Sequence, residues 1–282
     1  MKKLIFAAVV FCLMLLPLFD QVSADEKMKP EELVARHLES IGSADARAKA
    51  TSRAAGGAAQ FIIRIGGSAN LAGKAMFVSS DAKFRFGVQF QTADYLGEDL
   101  AFDGSKATAG FQPQGRRSML EQFALQQSMP LKEGLVGGVL STAWPLLKLD
   151  QTQPKLEYRG LKKIDGRQMH ELGYRPRKGS TDLKTFLYFE PETFRHVRTR
   201  YQFEIGAMIG SRDNPNANQE SYYSLTEDFD DFRSVDGLSL PHKYKLQYSV
   251  VGSKASAIQE WVMSFDRIAH NQKLDQALFT IN

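Results

Sequence analysis

The feature that most constrains this chain is an alternation of period two that begins near residue 60 and returns, between tight turns, almost to the end. Phe61, Ile63 and Ile65 alternate with Gln60, Ile62 and Arg64, and Phe84, Phe86, Val88 and Phe90 alternate with Lys83, Arg85, Gly87 and Gln89. Later, Leu238, Leu240, His242, Tyr244, Leu246, Tyr248 and Val250 alternate with Ser239, Pro241, Lys243, Lys245, Gln247 and Ser249. Successive strand side chains point to opposite faces, so each run is a strand with one oily side. Further strands are expected over 183–190, 195–205, 222–226 and 258–265. Asp103-Gly104, Asp165-Gly166, Glu190-Pro191-Glu192-Thr193 and Asp236-Gly237 supply the turns, the glycines taking the positive φ that a tight hairpin demands. Strand thus follows strand with no helix between, which excludes a parallel sheet and predicts a mainly β, α+β fold. Pro241 offers no N–H, so its strand pairs on only one side there or lies at an edge.

Helical spacing appears in three places. Residues 30–42 carry Pro30 and two glutamates at the start, an apolar stripe of Leu33, Val34, His37, Leu38 and Ile41, and Gly42 as a stop, the expected order of a short helix. A second piece is expected near 45–49. Residues 116–149 read as helix in two parts, the first with Met119, Leu120 and Phe123. The second carries Leu135, Val136, Val139, Leu140, Ala143, Trp144 and Leu147 but is weakened by Gly134, Gly137, Gly138 and Pro145. Residues 208–220 form a polar loop.

The first 24 residues have the order of an export signal: Lys2 and Lys3, an apolar run from Leu4 to Phe19, then Val22-Ser23-Ala24 before Asp25. Cleavage after Ala24 leaves 25–282 as a single domain in the periplasm, without Cys12, the chain's one cysteine. An exported protein without disulfides holds its fold by burial. Of 36 basic and 32 acidic residues, those beyond residue 24 number 34 and 31. The two signs are interspersed, so nothing suggests a nucleic-acid partner.

A search for chemistry returns little. No Gly-x-Ser-x-Gly elbow is present, and no thiol follows Cys12. His37, His170, His196, His242 and His270 are scattered, with no metal-ligand spacing, so no metal and no cofactor are expected. The stretch from Gly67 to Ala75 resembles a phosphate loop only faintly: Ala75 stands where Ser or Thr is required and a strand follows. It reads as a hairpin turn. Glu227-Asp228-Phe229-Asp230-Asp231 reads as a solvated turn, and no two carboxylates pair across a cleft. His242 reads as a strand histidine with a hydrogen-bond partner. The chain is expected not to be an enzyme.

Taken in order, four segments carry a resemblance: GLKKIDGRQMHELGYRPRKG, LKTFLYFEPETFRHVRTRYQ, DFDDFRSVDGLSLPHKYKLQY and FDRIAHNQKLDQALF. The Asp-Gly turn into a strand, the Tyr-Phe-Glu-Pro-Glu-Thr hairpin, the Val-Asp-Gly-x-x-Leu-Pro strand entry and the closing Asn-x-x-Leu-Asp-x-x-Leu-Phe resemble the LolA-like superfamily of periplasmic lipoprotein carriers and outer-membrane lipoprotein-sorting proteins. The resemblance covers most of 155–282 and the leading helix. It implies a strongly curved antiparallel sheet forming an unclosed barrel, with helices as a lid in its mouth over an apolar cavity. It also implies a lid-locking arginine, for which Arg64 is the candidate.

On that basis the expected function is non-enzymatic carriage or binding of lipid acyl chains or lipoproteins by a monomer, with membrane-associated donor and acceptor proteins as further partners. The alternation assigns the lining to Phe77, Phe84, Phe86, Phe90, Leu187, Phe189, Tyr244, Leu246, Trp261 and Met263, closed by Leu135, Val139 and Trp144. The same residues could instead fill a core. A different class of function is a periplasmic sensor or protein-interaction module using the same sheet.

Overall fold

Twelve strands account for most of the computed structural model, which describes residues 28–110, 117–178, 182–205, 220–252 and 256–281. The expected signal at 1–24 and almost all of the expected polar loop at 208–220 lie outside the described residues. In chain order the strands are β1 (Ser52–Ile65), β2 (Ala69–Ser80), β3 (Lys83–Phe90), β4 (Gly97–Phe102), β5 (Ala107–Gly110) and β6 (Lys155–Ile164). Then follow β7 (Arg167–Arg175), β8 (Lys184–Phe189), β9 (His196–Ile205), β10 (Ser221–Val235), β11 (Leu238–Gly252) and β12 (Ser256–His270).

All pair antiparallel in one sheet, in the order β5-β4-β3-β2-β1-β12-β11-β10-β9-β8-β7-β6. Every neighbour but one is the next strand in sequence, as in an antiparallel meander. The exception joins the first strand to the last: β1 pairs with β12, Arg53 facing His270 and Phe61 facing Trp261. The sheet is open, with β5 and β6 as its two edges. The chain between them, 111–154, therefore passes from one edge to the other. Pro241 sits where the sequence requires: it faces Phe232 of β10, while pairing with β12 begins only at Lys243.

The leading helix α1 (Pro30–Ile41) buries Leu33, Val34, His37 and Ile41, with Pro30 in its first turn. After it, Gly42 takes φ +148° and bridges to Leu238, so close that a β-carbon there would lie 2.5 Å from the carbonyl oxygen of Gly237. The short α2 (Ala44–Lys49) is capped by the Ser43 hydroxyl, which accepts from the Ala46 N–H.

The middle segment differs from the two helices expected. Its first part forms α3 (Met119–Gln126), with Ser118 as its cap, and one turn, α4 (Met129–Lys132). The rest contains only the tight turns Gly138–Leu140 and Pro145–Lys148 before α5 (Leu149–Thr152). The reason lies in Gly134, Gly137 and Gly138, which take φ of +70°, +81° and +49°, a left-handed backbone that ends any α-helix.

Candidate functional site

The structure gathers the thirteen predicted lining residues into one buried cluster. Phe77 comes from β2, Phe84, Phe86 and Phe90 from β3, Leu187 and Phe189 from β8, Tyr244 and Leu246 from β11, and Trp261 and Met263 from β12. None is more than 3 % exposed, and Leu135, Val139 and Trp144 of the middle segment are buried with them. Phe77 stacks with Phe84 at 6.1 Å between centroids, and Phe86 meets Tyr244 edge-on at 6.1 Å. Sequence reading missed several members of this face. Phe61 lies against Trp261 at 5.4 Å and Tyr95 at 4.3 Å, and Phe229 stacks on Tyr244 at 5.2 Å.

The covering segment is a loop with a closed neck. A β-carbon on Gly134 would stand 2.3 Å from the carbonyl oxygen of Ala143, so residues 134 and 143 approach as only glycine permits. Between them the backbone is tied to the sheet by side chains. The Arg53 guanidinium donates to the Val139 carbonyl, the Thr142 N–H donates to Ser79 Oγ at 3.0 Å, and the Gly137 N–H donates to the Glu227 carboxylate at 2.7 Å. Just beyond the neck, Trp144 stacks on His196 at 4.6 Å and donates from Nε1 to His37 Nε2 at 3.1 Å. A helical lid weakened by its glycines was expected; the segment is instead a buried, irregular plug, because its apolar residues enter the cluster and its amides and carbonyls find partners there.

Polar groups inside this face are the second thing sequence reading missed. Glu227 is fully buried and accepts from Tyr244 at 2.6 Å, Tyr201 at 2.7 Å and Gly137. Burial pushes its carboxyl up to about 7, against those three hydrogen bonds, which favour the charged form. The acidic run that read as a solvated turn is thus the middle of β10, with Leu225, Glu227 and Phe229 turned inward together. On the other side of the face, Glu98 accepts from Tyr95 at 2.5 Å and from Ser118 at 2.6 Å, while Trp261 donates to the Tyr95 oxygen at 2.6 Å. Burial raises Glu98 to about 8 and Glu121 to about 7, and the charge of Glu121 adds to the rise at Glu98. Nothing in the spacing of these two carboxyls, 23 residues apart, marks them as neighbours.

Between α1 and the plug, His37 is held in one tautomer. Its Nε2 must accept from Trp144, so Nδ1 carries the proton and donates to the Phe194 carbonyl at 3.1 Å. Burial lowers its basicity to about 4, and His196 is also lowered well below the ordinary histidine value, by burial first and by His37 second.

Arg64 does not reach the plug. Its side chain is half exposed and pairs with Glu260 at 2.8 Å. Arg53, eleven residues earlier on the same strand, is 3 % exposed and is the arginine that holds Val139. The Ala- and Gly-rich start of β1 hid it from any alternation. His242 is buried in β11 with Nδ1 3.2 Å from the Leu240 carbonyl oxygen, a structural contact within its own strand. Among the described residues no three His, Cys, Asp or Glu side chains are grouped as a metal would need, and no helix is long and apolar enough to cross a membrane.

No family model and no curated protein matches this chain. Solved structures do. A LolA superfamily protein from Nitrosomonas europaea is 10% identical, with a TM-score of 0.47, over 90% of this chain and 98% of that one. A putative outer membrane lipoprotein-sorting protein domain from Vibrio parahaemolyticus is 10% identical, with a TM-score of 0.45, over 89% and 97%. A DUF1329 family protein from Desulfovibrio piger is 10% identical, with a TM-score of 0.46, over 90% and 98%. Each is a likeness in the course of the chain.

Proposed function

We propose that this protein is a non-catalytic carrier or binding protein for lipid acyl chains, free or attached to a lipoprotein, working in the periplasm after export. One observation carries the reading: the broad apolar face of an open sheet is covered by an irregular plug fastened through a few side chains. A permanent core needs no such cover; helices or a second sheet close most β faces. An acyl chain would take the place of Leu135, Val139, Leu140 and Trp144, gaining about 0.8 kcal/mol for each methylene buried. The plug would move aside as one piece, since its neck at Gly134 and Ala143 holds its ends together.

We read the sheet as the wall of a half-open barrel. Phe86 and Tyr244 stand on β3 and β11, four strand spacings or about 19 Å apart on a flat sheet, yet their rings meet at 6.1 Å. Membrane-associated proteins would then deliver and receive the cargo. The test is mass spectrometry of lipids extracted from the natively purified protein, paired with titration of a fluorescent fatty acid. A stoichiometric lipid or saturable probe uptake is expected. Neither lipid nor uptake would leave the face as a filled core.

A further inference from the structure

Beside the neck of the plug lies a polar cavity of about 370 Å³, lined by Asp81, Lys132, Glu133, Lys148, Arg177 and Lys178 around the backbone of Gly134 and Ala143. It brings together the β2–β3 turn, the end of α4, the start of α5 and the chain that follows β7. Four cations face two carboxylates. Glu133 is already engaged, accepting from the Tyr174 hydroxyl at 2.8 Å. Among the described residues none of the four cations has an ion-pair partner, and Arg177 spends one donor on the amide oxygen of Gln153. Close by, at the ends of β6 and β7, Lys155 and Arg175 face one another directly in register. Like charges so placed repel, and neither has a carboxylate partner among the described residues. Positive charge is thus collected beside the neck of the plug, against Gly134 and Ala143.

We propose that this cavity binds an anionic phosphate group, and that on the carrier reading above it takes the phosphate head group of the cargo lipid while the chains lie under the plug. The chemistry suits it. A tetrahedral phosphate offers several acceptor oxygens, a guanidinium gives it two parallel donors and lysines add charge without strict geometry. A head group bound there would bridge α4 and α5, which flank the plug, and so would couple ligand identity to plug position. The inference rests on the carrier reading for the source of the phosphate, though not for the anion site itself.

The experiment uses the whole chain and calorimetric titration with three probes: inorganic phosphate, a short-chain phosphatidylglycerol and the matching uncharged diacylglycerol. Each is run against wild type and against Lys132→Gln/Lys148→Gln/Arg177→Gln, none of them a buried position, so that the apolar cluster stays intact. The expected result is that the phospholipid binds about tenfold or more tightly than the diacylglycerol, and that the triple variant removes this preference, as loss of charge-assisted hydrogen bonds would. Equal binding of both lipids, unchanged in the variant, overturns the phosphate site and leaves the carrier. Binding of inorganic phosphate alone, lost in the variant, supports the anion site and overturns the carrier reading. No binding of any probe overturns both.

Discussion

The backbone N–H of Gly137, in the plug, donates to the buried Glu227 carboxylate on β10 at 2.7 Å, and the same carboxylate takes both Tyr201 and Tyr244. An acid raised from 4.5 to about 7 by burial keeps its proton in the native state after the unfolded chain has lost it. Its contribution is complete at low pH and is lost as pH rises through the interval from 4.5 to about 7. Glu121 and Glu98 act in the same direction, up to about 7 and about 8. His37 acts in the opposite direction: the unfolded chain protonates near 6.5 and the native state only near 4, so stability falls as pH drops through that window. Stability should therefore peak in mildly acidic solution and decline towards pH 8. Glu227→Gln, which keeps an acceptor for Gly137, should shrink the decline between pH 5 and pH 8 by on the order of 1–3 kcal/mol, read from urea midpoints. An unchanged decline would mean that Glu227 does not carry the proton.

Trp144 makes a second, independent prediction. It is fully buried, stacks on His196 and is the donor that fixes the His37 tautomer. Trp144→Ala should cost about 3–5 kcal/mol, as a large aromatic cavity does. Trp144→Phe keeps most of the volume but strands His37 Nε2, and should cost about 1–3 kcal/mol. Phe should also move the pH dependence, since an unpartnered Nε2 is free to take a proton. Equal midpoints for Phe and wild type would remove the hydrogen bond from the account of how α1 docks on the plug.

Much of this fold was legible because alternation and turns are local. The hairpins around Asp165-Gly166 and Asp236-Gly237, the helix from Pro30 and the one-sided pairing at Pro241 all follow from side-chain period or backbone restriction. The first half of β1 was not legible, because Ala54, Ala55, Gly56 and Gly57 carry too little side chain to mark a face. Nor was the shape of the plug: Leu135, Val136, Val139 and Leu140 have helical spacing, and only the left-handed φ at three glycines, which spacing does not report, turns them into a buried loop. The thirteen apolar residues were found by pattern, whereas Arg53, Glu98 and Glu227 were not. A charged residue in a strand normally marks the solvent face, and these three point inward because each has polar partners there: Val139 for Arg53, Tyr95 and Ser118 for Glu98, and Gly137 for Glu227.

The two arginines of β1 separate a plug fastener from a surface charge. Arg64→Ala removes an ion pair in which the arginine is half exposed and Glu260 is largely buried, and should cost no more than about 1 kcal/mol, with probe uptake unaltered. Arg53→Met removes a buried cation and its bond to Val139. Burial has already lowered the basicity of Arg53 to about 10, so the loss of the hydrogen bond is offset by relief of a desolvated charge. The net stability change should be small. Local opening should not be: hydrogen exchange across 135–147 should quicken and a fluorescent fatty acid should enter faster. Exchange in that segment identical to wild type would show that Arg53 does not fasten the plug.

Whether the plug gates anything can be decided by locking it. Ser79 Oγ lies 3.0 Å from the Thr142 nitrogen, which keeps their α-carbons within roughly 7 Å, at the upper end of disulfide range. In a Cys12→Ala background, Ser79→Cys/Thr142→Cys would therefore oxidise with little backbone movement and tie the plug to β2. The oxidised protein should unfold at higher denaturant than its reduced form, because the bond closes a loop of more than sixty residues in the unfolded chain. If cargo enters beneath the plug, uptake of a fluorescent fatty acid should vanish on oxidation and return with a reductant, while the circular dichroism of the sheet stays the same. Uptake that is equal in both redox states would place the lipid elsewhere on the molecule. The plug would then be a permanent part of the core, and Leu135, Val139 and Trp144 would be its packing rather than its gate.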